Sequence, residues 1–223
     1  MMMKERIGIF GGTFNPIHRG HLKAAEVVQR RLRLEKVLFI PSYIPPHKES
    51  SEIASPFHRL KMVELALASY AQFIPSSIEI DTKGKSYSIL TLKKIKELFP
   101  KAMIFFILGI DAFLEIDTWR EYQKVLNQCY FVVISRPGYS LKDAKKVLEG
   151  RYQKRMVEIS ESEEVRDNTL LSFKIFLFPS ISLDVASTEI RERIKRGDSI
   201  KGMVSEAVES YIYQKNIYRD KNG

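Results

Sequence analysis

The sequence predicts an α/β fold, a doubly wound and mainly parallel sheet with helices on both faces. Three observations carry this. Short continuous apolar runs alternate with stretches of helical periodicity along most of the chain. The apolar runs do not alternate with polar residues, so both faces of the sheet are covered. The first run also ends in a glycine pair ahead of a helix, and folds of this kind bind ligands beyond the carboxyl ends of their strands.

The elements follow in order. Ile7–Phe10 reads as a buried strand, closed by Gly11 and Gly12. Leu22, Ala25, Val28 and Leu32 then recur at helical spacing. Val37–Ile40 is a second short strand, ended by Pro41. Ser55–Pro56 pairs a capping residue with proline at the first helical position. Phe57, Leu60, Val63, Leu67 and Tyr70 share the face of that helix. Ile78–Ile80 predicts a weaker strand, and Ser86 is expected to cap a helix with inner face Ile89, Leu92, Ile95 and Phe99. Met103–Leu108 is the most apolar run and predicts a central strand; Phe131–Ile134 predicts another. Lys142–Leu148 is helical, Ile175–Phe178 is a late strand, and helices close the chain near Thr188–Arg196 and Ser205–Gln214. Residues 160–169 are polar and predict a surface loop, within a stretch, 150–172, that matches no motif.

Right-handed crossovers between such strands make the sheet doubly wound, so the loops after Phe10, Ile40, Leu108 and Ile134 are where a site is expected. The expected organisation is a single domain over 1–223, with a core of about 5–180 and a C-terminal helical part of about 181–218.

The bulk numbers narrow the function classes. At 223 residues with 44% hydrophobic and 28% charged content, the chain has the makeup of a soluble globular protein. No run approaches the ~18–20 apolar residues of a membrane span. The basic start is followed only by the short run Ile7–Phe10, which predicts a strand rather than a signal peptide. Cys129 is the lone cysteine, so no internal disulfide forms and a reduced cytoplasm is expected. The net charge of +9 suits anionic partners, but the cations are spread along the chain among acids. That spread, with no RNA-binding motif, argues against a nucleic-acid partner.

From Gly8 the sequence reads Gly-Ile-Phe-Gly-Gly-Thr-Phe-Asn-Pro-Ile-His-Arg-Gly-His-Leu. Gly11 and Gly12 let backbone approach a phosphate closely. The helix that follows turns its partially positive N-terminus to the same space. His18 and His21, three apart at that terminus, can lie on one side of the first turn and donate hydrogen bonds to phosphate oxygens. Neither the dinucleotide fingerprint nor the Walker pattern is present, and no Cys or acidic ligand nearby completes a zinc set. A lone histidine at a helix start is usually structural; two after paired glycines at a strand end are harder to explain that way.

Gly11-Gly12-Thr13-Phe14-Asn15-Pro16-Ile17-His18-Arg19-Gly20-His21 resembles the His-x-Gly-His signature of the adenylyl- and cytidylyltransferase superfamily, in the form found in bacterial nicotinate-nucleotide adenylyltransferases. The resemblance runs from about Ile7 to Tyr218. Those enzymes more often carry Asp where this chain has Asn15, a change expected to be tolerated.

Ser187-Thr188-Glu189-Ile190-Arg191 opens a late helix that Ser187 or Thr188 can cap, and Arg191 lies one turn in. Alone, this is an ordinary capped surface helix. The resemblance implies a motif that holds the ATP phosphates, with Ala186 where the family has a first serine. The loop Pro41-Ser42-Tyr43-Ile44-Pro45-Pro46-His47-Lys48 is stiffened by prolines and ends in donors; the resemblance implies that His47 and Lys48 contact the acceptor. Tyr87 and Trp119 could be core aromatics or a stacking surface for a flat ring. The family's pattern implies that the acceptor's pyridine ring stacks on Trp119 beside Tyr87 and Ser88. It also implies that Gly109 and Asp111 serve ATP, Asp111 by contacting a ribose or orienting the metal, and that Arg136 binds the acceptor. Ser88 and Ile110 depart from the family's usual Thr and Ala.

The implied reaction joins ATP and nicotinate mononucleotide into deamido-NAD and pyrophosphate, with Mg²⁺ bound mainly through ATP phosphates. His18, His21 and Arg191 are the expected catalytic residues, and Gly11, Gly12, Thr13, Phe14, Ser187 and Thr188 complete the ATP side. No protein metal site and no membrane partner are expected, and a homo-oligomer is compatible with the sequence. The rivals are a sibling transferase for nicotinamide mononucleotide, phosphopantetheine or a cytidylyl substrate, a non-catalytic nucleotide-binding module, and an RNA-binding protein.

Overall fold

The computed structural model describes residues 4–45, 53–160, 164–179 and 185–219. The first half runs β1 (Arg6–Gly12), α1 (Arg19–Leu32), β2 (Lys36–Pro41), α2 (Pro56–Leu67), β3 (Phe73–Pro75), α3 (Ile78–Thr82) and α4 (Ser88–Leu98). Then come β4 (Met103–Gly109), α5 (Ile110–Leu114), α6 (Tyr122–Gln128), β5 (Tyr130–Ile134), α7 (Leu141–Lys146), β6 (Met156–Glu158) and α8 (Asp167–Ser172). β7 (Ile175–Phe178), α9 (Ser187–Arg196) and α10 (Glu206–Gln214) close the described chain.

The seven strands form one sheet in the order β3-β2-β1-β4-β5-β7-β6, and each neighbouring pair runs parallel. Strand side chains alternate between two apolar cores. On one face Phe10, Phe39, Phe105, Ile107, Val132 and Phe176 pack against α1, α2, α8, α9 and α10. On the other, Ile9, Leu38, Phe106, Leu108, Phe131 and Val133 pack against α4 to α7. This double coverage is why the strands read as unbroken apolar runs. Gly8 is needed for the first layer: a Cβ there would lie 2.9 Å from Leu34 and 3.1 Å from both Ile107 and Val37.

Three expectations need correcting. Ile78–Ile80 is not a strand but lies within α3, where Ile80 is buried and the Glu79 carboxylate accepts from the Thr91 hydroxyl at 2.6 Å. A three-residue Ile-Glu-Ile satisfies both strand and helix periods. The strand lies upstream, at β3, whose Pro75 falls at the end of an edge strand where no ladder donor is lost. Ser86 does not cap α4; Tyr87 holds that position, and the Ser86 hydroxyl instead accepts from the Tyr43 N–H at 2.9 Å. Within 150–172 lie β6, paired with β7, and α8. α8 also covers part of the expected 160–169 loop; with three and six residues these two elements are too short to show a period. Ser55 does cap α2, accepting from the His58 N–H at 3.2 Å. Among the described residues no helix is long and apolar enough to cross a membrane.

Candidate active site

The chain winds from β1 outward to β2 and β3, then crosses to β4 on the other side of β1. The carboxyl ends of β1 and β4 therefore mark the point where the winding reverses, and a crevice opens there. A cavity of about 1160 Å³ occupies it. A smaller one of about 180 Å³ adjoins it and shares Phe10, His18, His21, Gly109, Arg136 and Ala186.

The β1–α1 turn forms the floor. His18 is the residue before α1, and its backbone N–H donates to Nδ1 of His21 at 3.2 Å. The two rings lie 3.7 Å apart between centroids, tilted by 31°. Phe14 meets the His21 ring edge-on at 5.1 Å. His18 is buried, and burial, followed by the positive charge of Arg136, lowers its pKa to about 3. It is therefore a neutral imidazole at neutral pH.

The backbone carbonyls of the turn are engaged by the protein. Ser42 N–H donates to Gly12, and the Arg59 guanidinium donates to Thr13 at 2.8 Å. Arg191 donates to Asn15 at 3.0 Å and the Ser187 hydroxyl to Pro16 at 2.9 Å. The Asn15 side-chain oxygen accepts from Ala54 N–H at 3.0 Å and from the Tyr218 hydroxyl at 2.8 Å. With its acceptors occupied, the turn offers an anion little repulsion.

The second helix end, at α9, faces the same cavity through Ser187, Thr188 and Arg191. Neither Ser187 nor Thr188 caps it: the capping position falls to Ala186, which has no side-chain acceptor. An uncapped helix N-terminus keeps its donors for an incoming anion. On the opposite wall, α5 starts after Gly109 and carries Asp111 in its first turn. One Asp111 oxygen lies 3.5 Å from Arg136 Nη1; the other is buried with no hydrogen-bond partner among the described residues. A Cβ on Gly109 would fall 2.3 Å from that second oxygen, so only glycine leaves Asp111 in place.

Tyr87, Ser88 and Trp119 also line the cavity, with Phe106 edge-on to Trp119 at 5.8 Å. The cavity thus brings together Gly11, Gly12, Thr13, Phe14, His18, His21, Tyr87, Ser88, Gly109, Asp111, Trp119, Arg136, Ser187, Thr188 and Arg191. His47 and Lys48 lie outside the described residues; Pro45 and Ile53, on either side, line the cavity. Arg136 lines both cavities, beside His18 and Asp111.

Lys85, Arg120, Arg59 and Tyr218 were not singled out in the sequence. Lys85 and Arg120 line the cavity, and the Arg120 guanidinium sits 5.1 Å over the Tyr87 ring. Arg59 left one signal: it lies three and four residues before Met62 and Val63, on the buried face of α2. Lys85, Arg120, Arg136 and Arg191 face the cavity against Asp111 and Glu115, a balance that favours anionic ligands. No group of three or more His, Cys, Asp or Glu side chains able to hold a metal occurs among the described residues.

A cytidylyltransferase-like family model matches residues 9–193. A Desulfitobacterium hafniense (strain Y51) protein named "Probable nicotinate-nucleotide adenylyltransferase" is 42% identical over 215 residues, covering 96% of both chains. A protein of the same name from Geotalea uraniireducens is 39% identical over 96% of this chain and 99% of its own. Among solved structures, Plasmodium falciparum nicotinic acid mononucleotide adenylyltransferase complexed with NaAD superposes with a TM-score of 0.70. It is 19% identical, over 96% of this chain and 97% of the other, and shows the shared fold.

Proposed function

The chain belongs to the cytidylyltransferase-like family, and from that premise we propose that it is a nicotinate-nucleotide adenylyltransferase of NAD biosynthesis. It converts ATP and nicotinate mononucleotide to deamido-NAD and pyrophosphate. One observation supports this most: two helix N-termini, one bearing His18 and His21 and the other Arg191, face one cavity that Trp119 and Tyr87 also line. That is a phosphate site joined to a site for a flat ring.

The acceptor's 5′-phosphate oxygen attacks the α-phosphorus of ATP in line with the bridging oxygen to the β-phosphate. That bond breaks, and pyrophosphate leaves with the electron pair. The nucleophile is already ionised at neutral pH, so no general base is required. The rate comes from alignment and from donors placed where negative charge grows.

His21 accepts at Nδ1, so its neutral ring carries the proton on Nε2, which serves as the donor to phosphate. His18 is neutral when the site is empty and gains basicity as phosphate charge arrives beside it. Arg191 and the α9 terminus hold the departing pyrophosphate. The unpartnered Asp111 oxygen accepts from a ribose hydroxyl. Trp119 stacks on the pyridine ring.

Mg²⁺ supplies charge neutralisation on phosphate oxygens when bound. Among the described lining residues Asp111 and Glu115 are the only carboxylates, beside imidazole, guanidinium and ammonium groups, so the ion would be carried in by ATP and held mainly by its phosphates and water. A cytoplasmic setting fits the lone cysteine, Cys129, which is buried.

The test is pyrophosphate release by the folded protein. Release is expected only with ATP-Mg and nicotinate mononucleotide together. Folded protein releasing none would contradict the reading.

A further inference from the structure

The turn between β1 and α1 carries a strained residue at its centre. Phe14 has a φ of 47°, left-handed backbone that a bulky side chain rarely adopts. Such a conformation persists only where its surroundings over-determine it. On one side the Thr13 carbonyl accepts from Arg59 at 2.8 Å. On the other the Asn15 carbonyl accepts from Arg191 at 3.0 Å. Asn15 is also buried, and its side-chain oxygen takes two donors from outside the turn, the Ala54 N–H at 3.0 Å and the Tyr218 hydroxyl at 2.8 Å.

Tyr218 lies 203 residues from Asn15, beyond α10, and its own backbone is left-handed, at a φ of 69°. Strained backbone thus stands on both sides of one hydrogen bond. The Tyr218 ring packs on the core that contains Phe14, Ile17, Val208 and Ile212. Burial, above all, raises its phenol well above the ordinary tyrosine range, so the hydroxyl stays a donor at any working pH. At the other end of the relay, the Phe14 ring meets His21 edge-on at 5.1 Å and Phe10 at 5.6 Å. Where the His21 ring sits therefore depends on where Asn15 holds the Phe14 backbone.

We propose that Tyr218 is a positioning residue for adenylyl transfer: its hydroxyl, through Asn15, holds Phe14 in its strained backbone and so sets the place of the His21 ring. This deepens the reaction proposed above and rests on it for the kinetic readout, though not for the structural one. Tyr218 is not among the described residues that line the cavity, so it acts only through Asn15. Its loss moves a donor aimed at growing charge and leaves the surfaces that bind each substrate in place. kcat therefore falls while KM holds. Tyr218→Phe keeps the ring in the core, so the variant folds.

Tyr218→Phe, Asn15→Leu, Asn15→Asp and the Tyr218→Phe, Asn15→Leu double variant test this. In Tyr218→Phe the Ala54 amide, which shares the Asn15 oxygen, should exchange with solvent about fivefold faster, the scale of one weakened neutral hydrogen bond. The His21 ring-proton resonances should move while the Trp119 indole N–H resonance stays. kcat should fall about tenfold, with KM for ATP and for the mononucleotide within about twofold. Asn15→Asp keeps the acceptor and should hold kcat within about threefold of wild type. Asn15→Leu removes it, so kcat should fall at least as far as in Tyr218→Phe. The double variant should fall no further than Asn15→Leu, because the hydroxyl then has nothing to hold. Unmoved His21 resonances or unchanged Ala54 exchange in Tyr218→Phe overturn the proposal. So does a loss confined to KM, or a double variant worse than Asn15→Leu. If the wild type transfers no adenylyl group, the reaction assigned above has failed, and the His21 and Ala54 signals still decide whether Tyr218 positions the turn.

Discussion

The backbone N–H of His18 donates to Nδ1 of His21, and the two imidazoles face each other 3.7 Å apart. This bond does two things at once. It occupies a first-turn donor of α1, and it fixes which His21 nitrogen is left to donate. Phe14 and Phe10 then hold the His21 ring edge-on, at 5.1 and 5.9 Å, so it cannot turn away.

Replacing His21 by Ala removes a donor from the point where charge builds. Turnover should fall by about 10²-fold or more, the scale for losing one charge-stabilising donor. KM for ATP should change far less. A folded His21→Ala protein that keeps near wild-type kcat would remove His21 from the chemistry.

His18 makes stability depend on pH. Its folded-state pKa is about 3, against 6.5 for an unperturbed histidine. Between those values the unfolded chain binds a proton that the folded chain refuses. The contribution is therefore complete above pH 6.5 and is lost as pH falls toward 3. From neutral pH to about pH 4.5, the loss from this group is about 2 to 3 kcal/mol. His18→Gln, which cannot titrate, should show a flatter acid limb by that amount in denaturant titrations. Parallel limbs for the two proteins would mean His18 is not held neutral.

Gly109→Ala separates function from fold. The new Cβ would sit 2.3 Å from an Asp111 oxygen and 3.3 Å from Arg136, both movable side-chain ends, and the backbone φ of −74° suits alanine. Stability should change by less than about 1 kcal/mol. If Asp111 holds the ribose as proposed, KM for ATP should rise about tenfold as its carboxylate is displaced. Unchanged ATP kinetics would show that Asp111 has no part in holding the nucleotide.

Trp119→Leu keeps an apolar contact for Phe106 but loses the flat ring. Stacking of a heteroaromatic base on such a ring is worth about 1–3 kcal/mol, so KM for the acceptor should rise about tenfold or more with ATP unaffected. Equal effects on both substrates would place Trp119 in the scaffold instead.

The sheet was legible because buried parallel strands are unbroken apolar runs, and Met103–Leu108 and Phe131–Ile134 stand out as such. β3 was not, because Phe73–Pro75 is three residues long and its neighbour Ile78–Ile80 imitates a strand better. The β1–α1 turn stood out in the sequence from Gly11 to His21 because all its parts are contiguous. The residues that brace it did not. Arg59 and Tyr218 reach the Thr13 carbonyl and the Asn15 side-chain oxygen from distant segments, and such pairings leave no spacing to read. Ala186 shows a subtler limit. Ser187 and Thr188 looked like caps, but the hydroxyl of Ser187 reaches across to Pro16 and leaves the α9 terminus open.

The central claim is adenylyl transfer to a pyridine mononucleotide carrying a carboxylate. It is tested most directly with ATP labelled at the α-phosphorus, offered with nicotinate mononucleotide, nicotinamide mononucleotide or phosphopantetheine in separate reactions. The account predicts that label enters a dinucleotide fastest with nicotinate mononucleotide, with unlabelled pyrophosphate released in equal amount. Label transferred only to phosphopantetheine, or retained wholly in ATP by folded protein, would contradict it.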